Sequence, residues 1–382
     1  METAMEAVSD MISFPLGLAK GRYFCNRQQE TAKLIRNIQT GTHTVLISPR
    51  RYGKTSLAYR AIQECQLPSA TVDLYMTTSA TDIEHGILNG VDSLLSQVSH
   101  NAEILLGLIK EFIKSLRPTF EASTQGFKIK LEATQKNTSA VSICEALQVL
   151  EGVLQKKSQR AVLLIDEFQE VQQVASSAGI EGAIRHVAQA SNYLTIIFSG
   201  SHRHLLKGMF NQRNKPLYRL CDEILLDRIA QEDYIPFLEK FFFQKWGKPL
   251  SKSIIDKIFC HSECHPYYFN AICEKLFSEE NMPTEKSVDC VWEDLIATKK
   301  KDILHETKSL NITHKKILVA IAHGIDHGLT SQKFLSQADV SGASVVRALE
   351  MLEAEDFIEK IHDRYRLIDP LLKSILKLLT YF

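Results

Sequence analysis

The stretch Thr44-Val45-Leu46-Ile47-Ser48-Pro49-Arg50-Arg51-Tyr52-Gly53-Lys54-Thr55-Ser56 decides how the chain is read. Thr44 to Ile47 is a short β-branched, apolar run behind Gly41, which predicts a buried strand. The residues after Thr55 have helical character. A strand, a loop and a helix carrying Gly53-Lys54-Thr55 match the phosphate-binding pattern G-x-x-x-x-G-K-[ST], with Ser48 in place of its first glycine. Gly53 lets the backbone approach phosphate, and amides at the helix start can cradle it. Lys54 neutralises β/γ oxygens, and the Thr55 hydroxyl is a ligand for Mg²⁺. Pro49, Arg50, Arg51, Tyr52 and Ser56 complete the expected nucleotide-binding loop.

A second element answers the first. Ala161 to Ile165 is an apolar run that ends in Asp166-Glu167. Such runs are strands of a parallel sheet covered on both faces, and their carboxyl ends face the ligand crevice. Asp166 is expected to hold the Mg²⁺ shell with Thr55, and Glu167 to orient or deprotonate water. A third run, Leu194 to Ser201, ends in Ser199 and Ser201. These serines either bond the γ-phosphate or its attacking water, with Ser199 taken as catalytic, or cap the helix that follows.

Four segments carry a resemblance: Phe24 to Glu30, Ser48 to Leu57, Asp166 to Glu170, and Phe198 to Phe210 with Pro216-Leu217-Tyr218. On these the chain resembles the archaeal-type ATPase family within the AAA+/STAND group of P-loop NTPases. The resemblance implies ATP and Mg²⁺ as cofactors, ATP hydrolysis to ADP and phosphate, and an adenine pocket bordered by Phe24 and Arg27. It also implies a transition-state arginine somewhere among Arg185, Arg203, Arg213, Arg219 and Arg228, with Arg219 the first choice. Three positions depart from the family pattern. Asn26 and Ser48 replace glycines, and Cys264 stands where a Gly-x-Pro would place one.

The 382 residues suffice for two to three domains of roughly 150 residues. The expected fold class is α/β: a P-loop NTPase core with a parallel sheet in three α/β/α layers, an all-helical lid and a C-terminal winged helix-turn-helix. The core is assigned to 1–228, with a β-hairpin insertion at about 116–134 alternating around Gln125-Gly126. The lid is assigned to 229–304. Its aromatic run Phe237, Phe241, Phe242, Phe243 and Trp246 reads as core, since no basic residues interleave with it. The winged helix is assigned to 305–382, with helices capped at Thr313, Thr330 and Ser341 and a wing turning at His362-Asp363.

A winged helix suggests DNA, but its charge does not. Lys+Arg and Asp+Glu are both 45. From Thr313 onward nine basic residues face nine acidic ones, and in Ser341 to Phe357 Arg347 stands against Glu350, Glu353, Glu355 and Asp356. A groove-entering helix of that sign repels phosphate. Lys315, Lys316, Lys360, Arg364 and Arg366 leave a small basic patch. The expected function is therefore an ATP-binding, slow Mg-dependent ATPase acting as a nucleotide-controlled switch or assembly platform, with a protein partner or self-association. The alternative is a DNA-associated winged-helix module with a regulatory or vestigial ATPase core.

The chain start lacks a basic segment followed by an apolar core, so no signal peptide is read there. No run reaches the ~18 apolar residues of a membrane span. Leu371 to Phe382, with Lys373 and Lys377 on one face, is expected to pack on its own domain rather than lie on a membrane. Eight scattered cysteines fit a reducing cytoplasm. Cys260, His261, Cys264 and His265 cluster, but their spacing matches no common zinc pattern.

Overall fold

The structure, a computed structural model, describes residues 13–99, 101–123, 126–133, 138–174 and 177–379. The chain start and the hairpin turn at Gln125 lie outside these residues, as does the end beyond 379. Two compact units form. One comprises Arg27–Ser48 and Lys54–Leu226; the other comprises Met1–Asn26, Pro49–Gly53 and Asp227–Phe382.

The first unit is α/β. Helix α1 (Gln28–Thr40) leads to β1 (Thr44–Ile47), α2 (Lys54–Cys65), β2 (Ser69–Asp73), α3 (Ala80–Val98), α4 (Ala102–Lys110), and the hairpin β3 (Arg117–Ser123) and β4 (Gly126–Glu132). Then follow α5 (Ser139–Lys156), β5 (Ala161–Asp166), a 3-10 turn (Phe168–Gln173), α6 (Ser177–Ala190), β6 (Leu194–Gly200), α7 (Arg203–Asn211) and β7 (Asp222–Leu225). The main sheet has the order β2-β5-β6-β1-β7. All of its pairings are parallel.

The apolar runs explain this sheet. Every residue of β1 and β6 is buried, and all of β5 except Asp166. Strands covered on both faces must be apolar throughout. Gly90 lets α3 close on the sheet, because a Cβ there would lie 2.6 Å from Val72 Cγ2. The hairpin is a separate antiparallel sheet. It is tied to α3 by the Leu131 amide, which donates to both Asp92 carboxylate oxygens at 3.1 and 3.3 Å.

Register matters most for the site. Ile47 pairs with Gly200, and Ile165 with Phe198. The carboxyl ends of β1, β6 and β5 therefore lie side by side.

The second unit is largely helical: α8 (Gln231–Trp246), α9 (Lys252–Ser262), α10 (Pro266–Ser278) and α11 (Glu285–Glu306), then α12 (Ile312–Ala322), α13 (Gln332–Ala338), α14 (Gly342–Ala354), the wing strands β8 (Ile358–Ile361) and β9 (Arg364–Leu367), and α15 (Pro370–Lys377). The regions expected as lid and winged helix share one continuous apolar core. Phe14 plugs the lid aromatics, with ring centroids 5.5–5.8 Å from Phe237, Phe241, Phe242 and Phe277. Phe241 and Phe242 are buried, whereas Phe243 is exposed. Helix α15 buries Leu371, Leu372, Ile375 and Leu376 in this core. None of the described helices is long and apolar enough to cross a membrane.

Candidate phosphate-binding site

The loop between β1 and α2 follows from its residue types. Gly53 has φ +89, which favours glycine, and Arg51 has φ +65. Helix α2 begins at Lys54, and the amides at a helix start are suited to an anion. Lys54 is only 6 % exposed. Its Nζ donates to the Ser48 carbonyl at 3.1 Å and to Ser48 Oγ at 3.4 Å.

Thr55 Oγ1 donates to Asp166 Oδ2 at 2.8 Å. The Glu167 amide donates to Asp166 Oδ1 at 3.0 Å, and Ser199 Oγ donates to the same oxygen. A hydroxyl and a carboxylate that meet in this way form the hard oxygen pair that Mg²⁺ selects, so the residues fit that ion.

Glu167 has a left-handed backbone, φ +51. Its Oε2 accepts from Gln169 Nε2 at 2.6 Å, from the Ser201 amide at 3.1 Å and from Ser201 Oγ at 2.8 Å. Burial alone raises the pKa of this carboxyl. The bonds from Gln169 and Ser201, with the charge of Lys54, outweigh burial and hold it below the usual value. Gly200 is required by this arrangement, since a Cβ there would lie 2.0 Å from Gln169 Oε1.

The α/β unit thus brings Lys54, Thr55, Asp166, Glu167 and Ser199 together, with Ser56 buried in the first turn of α2. Ser201 is not a helix cap: His202 holds that position, and Ser201 is spent on Glu167. The sequence reading missed Gln169, which is fully buried and two residues from the carboxylate it binds. The signal was a buried amide following an acidic strand end.

Other candidates lie elsewhere. Arg27 belongs to the α/β unit and pairs with Glu30 at 3.1 Å, whereas Phe24 belongs to the helical unit. Asn26 and Arg27 both adopt left-handed backbones (φ +49 and +61), a conformation that glycine takes most readily. Cys264 does the same at φ +61. Arg219 is exposed, with its guanidinium 5.2 Å from the ring of its neighbour Tyr218. Arg185 holds the carbonyls of Pro216 and Tyr218.

Pro49 to Gly53 group with the helical unit. Pro49 and Tyr52 are buried there, whereas Arg50 and Arg51 are exposed. Burial first, then the charges of Arg228 and Arg51, drive His265 down to about 3 and keep it neutral. His261 instead bonds Asp289 at 2.9 Å and stacks on Trp292. The two histidines of the Cys/His cluster therefore have separate partners.

The wing's basic residues are largely engaged. Arg364 pairs with Asp326 at 3.1 Å, and Arg366 with Glu359 at 2.6 Å and Asp227 at 3.3 Å. Lys316 donates to the Ala338 carbonyl at 2.6 Å.

Comparison with known proteins agrees with this architecture. The family described as "Probable winged helix domain" matches residues 305–378. The Walker-type ATPase of Pyrococcus abyssi superposes with a TM-score of 0.70 at 18 % identity, over 96 % of this chain and 99 % of that one. The ORC2 protein of Aeropyrum pernix, solved in ADPNP–ADP complexes, gives 0.52 at 14 % identity, over 92 % and 93 %. No curated protein matches the sequence. The chain shares the fold of these two structures, and its last part matches a winged helix family.

Proposed function

We propose that the protein binds ATP with Mg²⁺ and hydrolyses it slowly, and that the bound nucleotide switches the docking of its lid and winged helix. The observation that carries this reading is the convergence of Lys54, Thr55, Asp166 and Ser199 at the adjoining ends of β1, β5 and β6. Lys54 and the amides of α2 receive the phosphates. Thr55 and Asp166 would hold Mg²⁺, which would supply positive charge to offset that of the phosphates. Ser199 fixes the Asp166 carboxylate. Glu167, ionised and held by Gln169 and Ser201, orients the attacking water and accepts its proton. Phe24 and Arg27 border the base, and Arg219 is the arginine assigned to the transition state.

In this reading 1–228 is the ATPase core with its hairpin insertion, 229–304 the lid and 305–382 the winged helix. The winged helix contacts protein, either another copy or a separate partner, rather than DNA. Its wing arginines are neutralised within the fold, and α14 is acidic. No disulfide joins the described cysteines, which fits the cytoplasmic location proposed. Equilibrium ATP binding and phosphate release test the proposal. Binding and turnover by the native chain, both lost in Lys54→Ala, support it; absence of ATP binding by the native chain sinks it. Fluorescence anisotropy with duplex DNA at low salt tests the partner class, and binding that charge reversal of Arg364 and Arg366 abolishes would favour DNA.

A further inference from the structure

The chain leaves the α/β unit after Ser48, gives Pro49–Gly53 to the helical unit, and re-enters the α/β unit at Lys54. The phosphate pattern leaves the positions before Gly53 open. Here they are occupied. Tyr52 is 1 % exposed, with its ring edge-on to His265 at 4.8 Å. The Arg51 guanidinium lies 4.3 Å from the centre of the Tyr267 ring. His265 and Tyr267 flank Pro266 at the start of α10.

Behind Tyr52 lies Arg228, 6 % exposed. The Tyr52 hydroxyl is pushed up by burial and drawn back by the Arg228 guanidinium beside it. Arg228 Nη1 donates to the Glu263 carbonyl at 3.0 Å and its carboxylate at 2.7 Å. Nη2 donates to the carbonyls of Leu367 at 2.9 Å and Ile368 at 3.1 Å. Glu263 also binds Lys373 of α15. One guanidinium therefore joins the loop, the turn before α10 and the end of the wing. Charge-assisted bonds in a buried setting are lost together, so such a joint has discrete states rather than a graded range.

We propose that Arg51 and Tyr52 are a relay: the lid and winged helix read the position of the phosphate loop through Tyr52 on His265 and Arg228 and through Arg51 on Tyr267. The inference rests on reading the loop as an ATP site and adds the path by which its occupancy is passed on. Gly53, with φ +89, lies one peptide bond from Lys54. Loop occupancy and wing docking are then linked equilibria, and each shifts the other by the same factor.

Hydrogen exchange on the full chain tests the relay, with and without ATP·Mg²⁺, in peptides covering 263–268 and 364–373. In the ligand-free protein Tyr52→Ala is expected to speed exchange in both segments by about fivefold or more, with a smaller rise for Tyr52→Phe and none in α3. At ATP concentrations shown by equilibrium binding to saturate each protein, ATP is expected to change exchange in both segments of the native chain and in neither segment of Tyr52→Ala. Native rates in both segments of ligand-free Tyr52→Ala, or a full ATP response in that variant, overturn the relay. If Tyr52→Ala does not fold, Arg51→Ala and Tyr52→Phe carry the same comparison. If the native chain binds no ATP, the function reading fails and the ligand-free arm decides the relay by itself.

Discussion

The two units are held by opposite kinds of contact. In the α/β unit, Lys54, Asp166, Glu167, Gln169, Ser199 and Ser201 form a small polar network at strand ends, nearly every contact a hydrogen bond. In the helical unit, Arg51 and Tyr52 meet rings, and one guanidinium bonds four oxygens. The network is tuned by charge, so losing one group alters chemistry. The aromatic core is held by area and shape, so losing one ring alters stability. Residues that fix the phosphate pattern serve the first role, and the positions it leaves open serve the second.

The largest effect that breaks this contrast is expected at Glu167. Glu167→Gln should lower ATP turnover by about 10²–10⁴-fold while ATP affinity changes little, read by phosphate release beside equilibrium binding. Retained turnover would show that the carboxylate is not the base. On the other side, Phe14→Ala should destabilise the helical unit by about 3–5 kcal/mol in denaturant unfolding. Four neighbouring rings lose their common partner. A loss under about 1 kcal/mol would remove the argument that ring packing holds this unit.

Gly200→Ala tests both roles at once. The new methyl group forces Gln169 aside, at about 1–3 kcal/mol of stability, and leaves Glu167 with Ser201 alone. Turnover should fall by roughly tenfold, as expected for the loss of one positioning bond. Normal turnover in a destabilised protein would mean that Gln169 only packs.

The smallest effect sharpens what tuning by hydrogen bonds means. Glu145 accepts from the amides of Lys114, Ser115 and Leu116 and from the Ser115 hydroxyl; burial raises its pKa, but those donors bring it below the usual value. Asp92 has the Leu131 amide and the charge of Lys130, and burial wins, raising it to about 7. Its folded value lies above the unfolded value of 3.8, so the folded state holds the proton more tightly. The penalty is absent below pH 4, grows as pH rises through 7 and is complete above it. Stability should fall by about 1–3 kcal/mol across that window, and Asp92→Asn should flatten the curve in pH-dependent unfolding. An unchanged slope would place the ionisation elsewhere.

Much of this was legible in the sequence because it is local. Thr44–Ile47 is a strand with the bounds its β-branched run implies, and the wing turns at His362, whose φ is +55. Boundaries shifted where a side chain competed for the backbone. Asn311 and Ser331 cap their helices in place of Thr313 and Thr330. The second strand ends at Asp73, where the carboxylate accepts from the Tyr75 amide and turns the chain. The helical stretch from Ala80 to Lys110 divides into α3 and α4, since α3 is capped at Ser99 and Asn101 caps the next. The polar site was readable from its carboxylates and lysine. The partners of Tyr52 and Arg228 were not, because they are distant in sequence and no periodicity records which ring meets which.

The interruption at Pro49–Gly53 has a consequence for how the chain is made. Synthesis runs from the amino terminus, so the α/β unit can collapse while Arg228, His265 and Tyr267 are still unmade. Throughout that interval Tyr52 lacks His265 and Arg228, and Arg51 lacks the Tyr267 ring. Whatever shields that loop on the nascent chain, water or a chaperone, must yield it when the last third of the chain emerges.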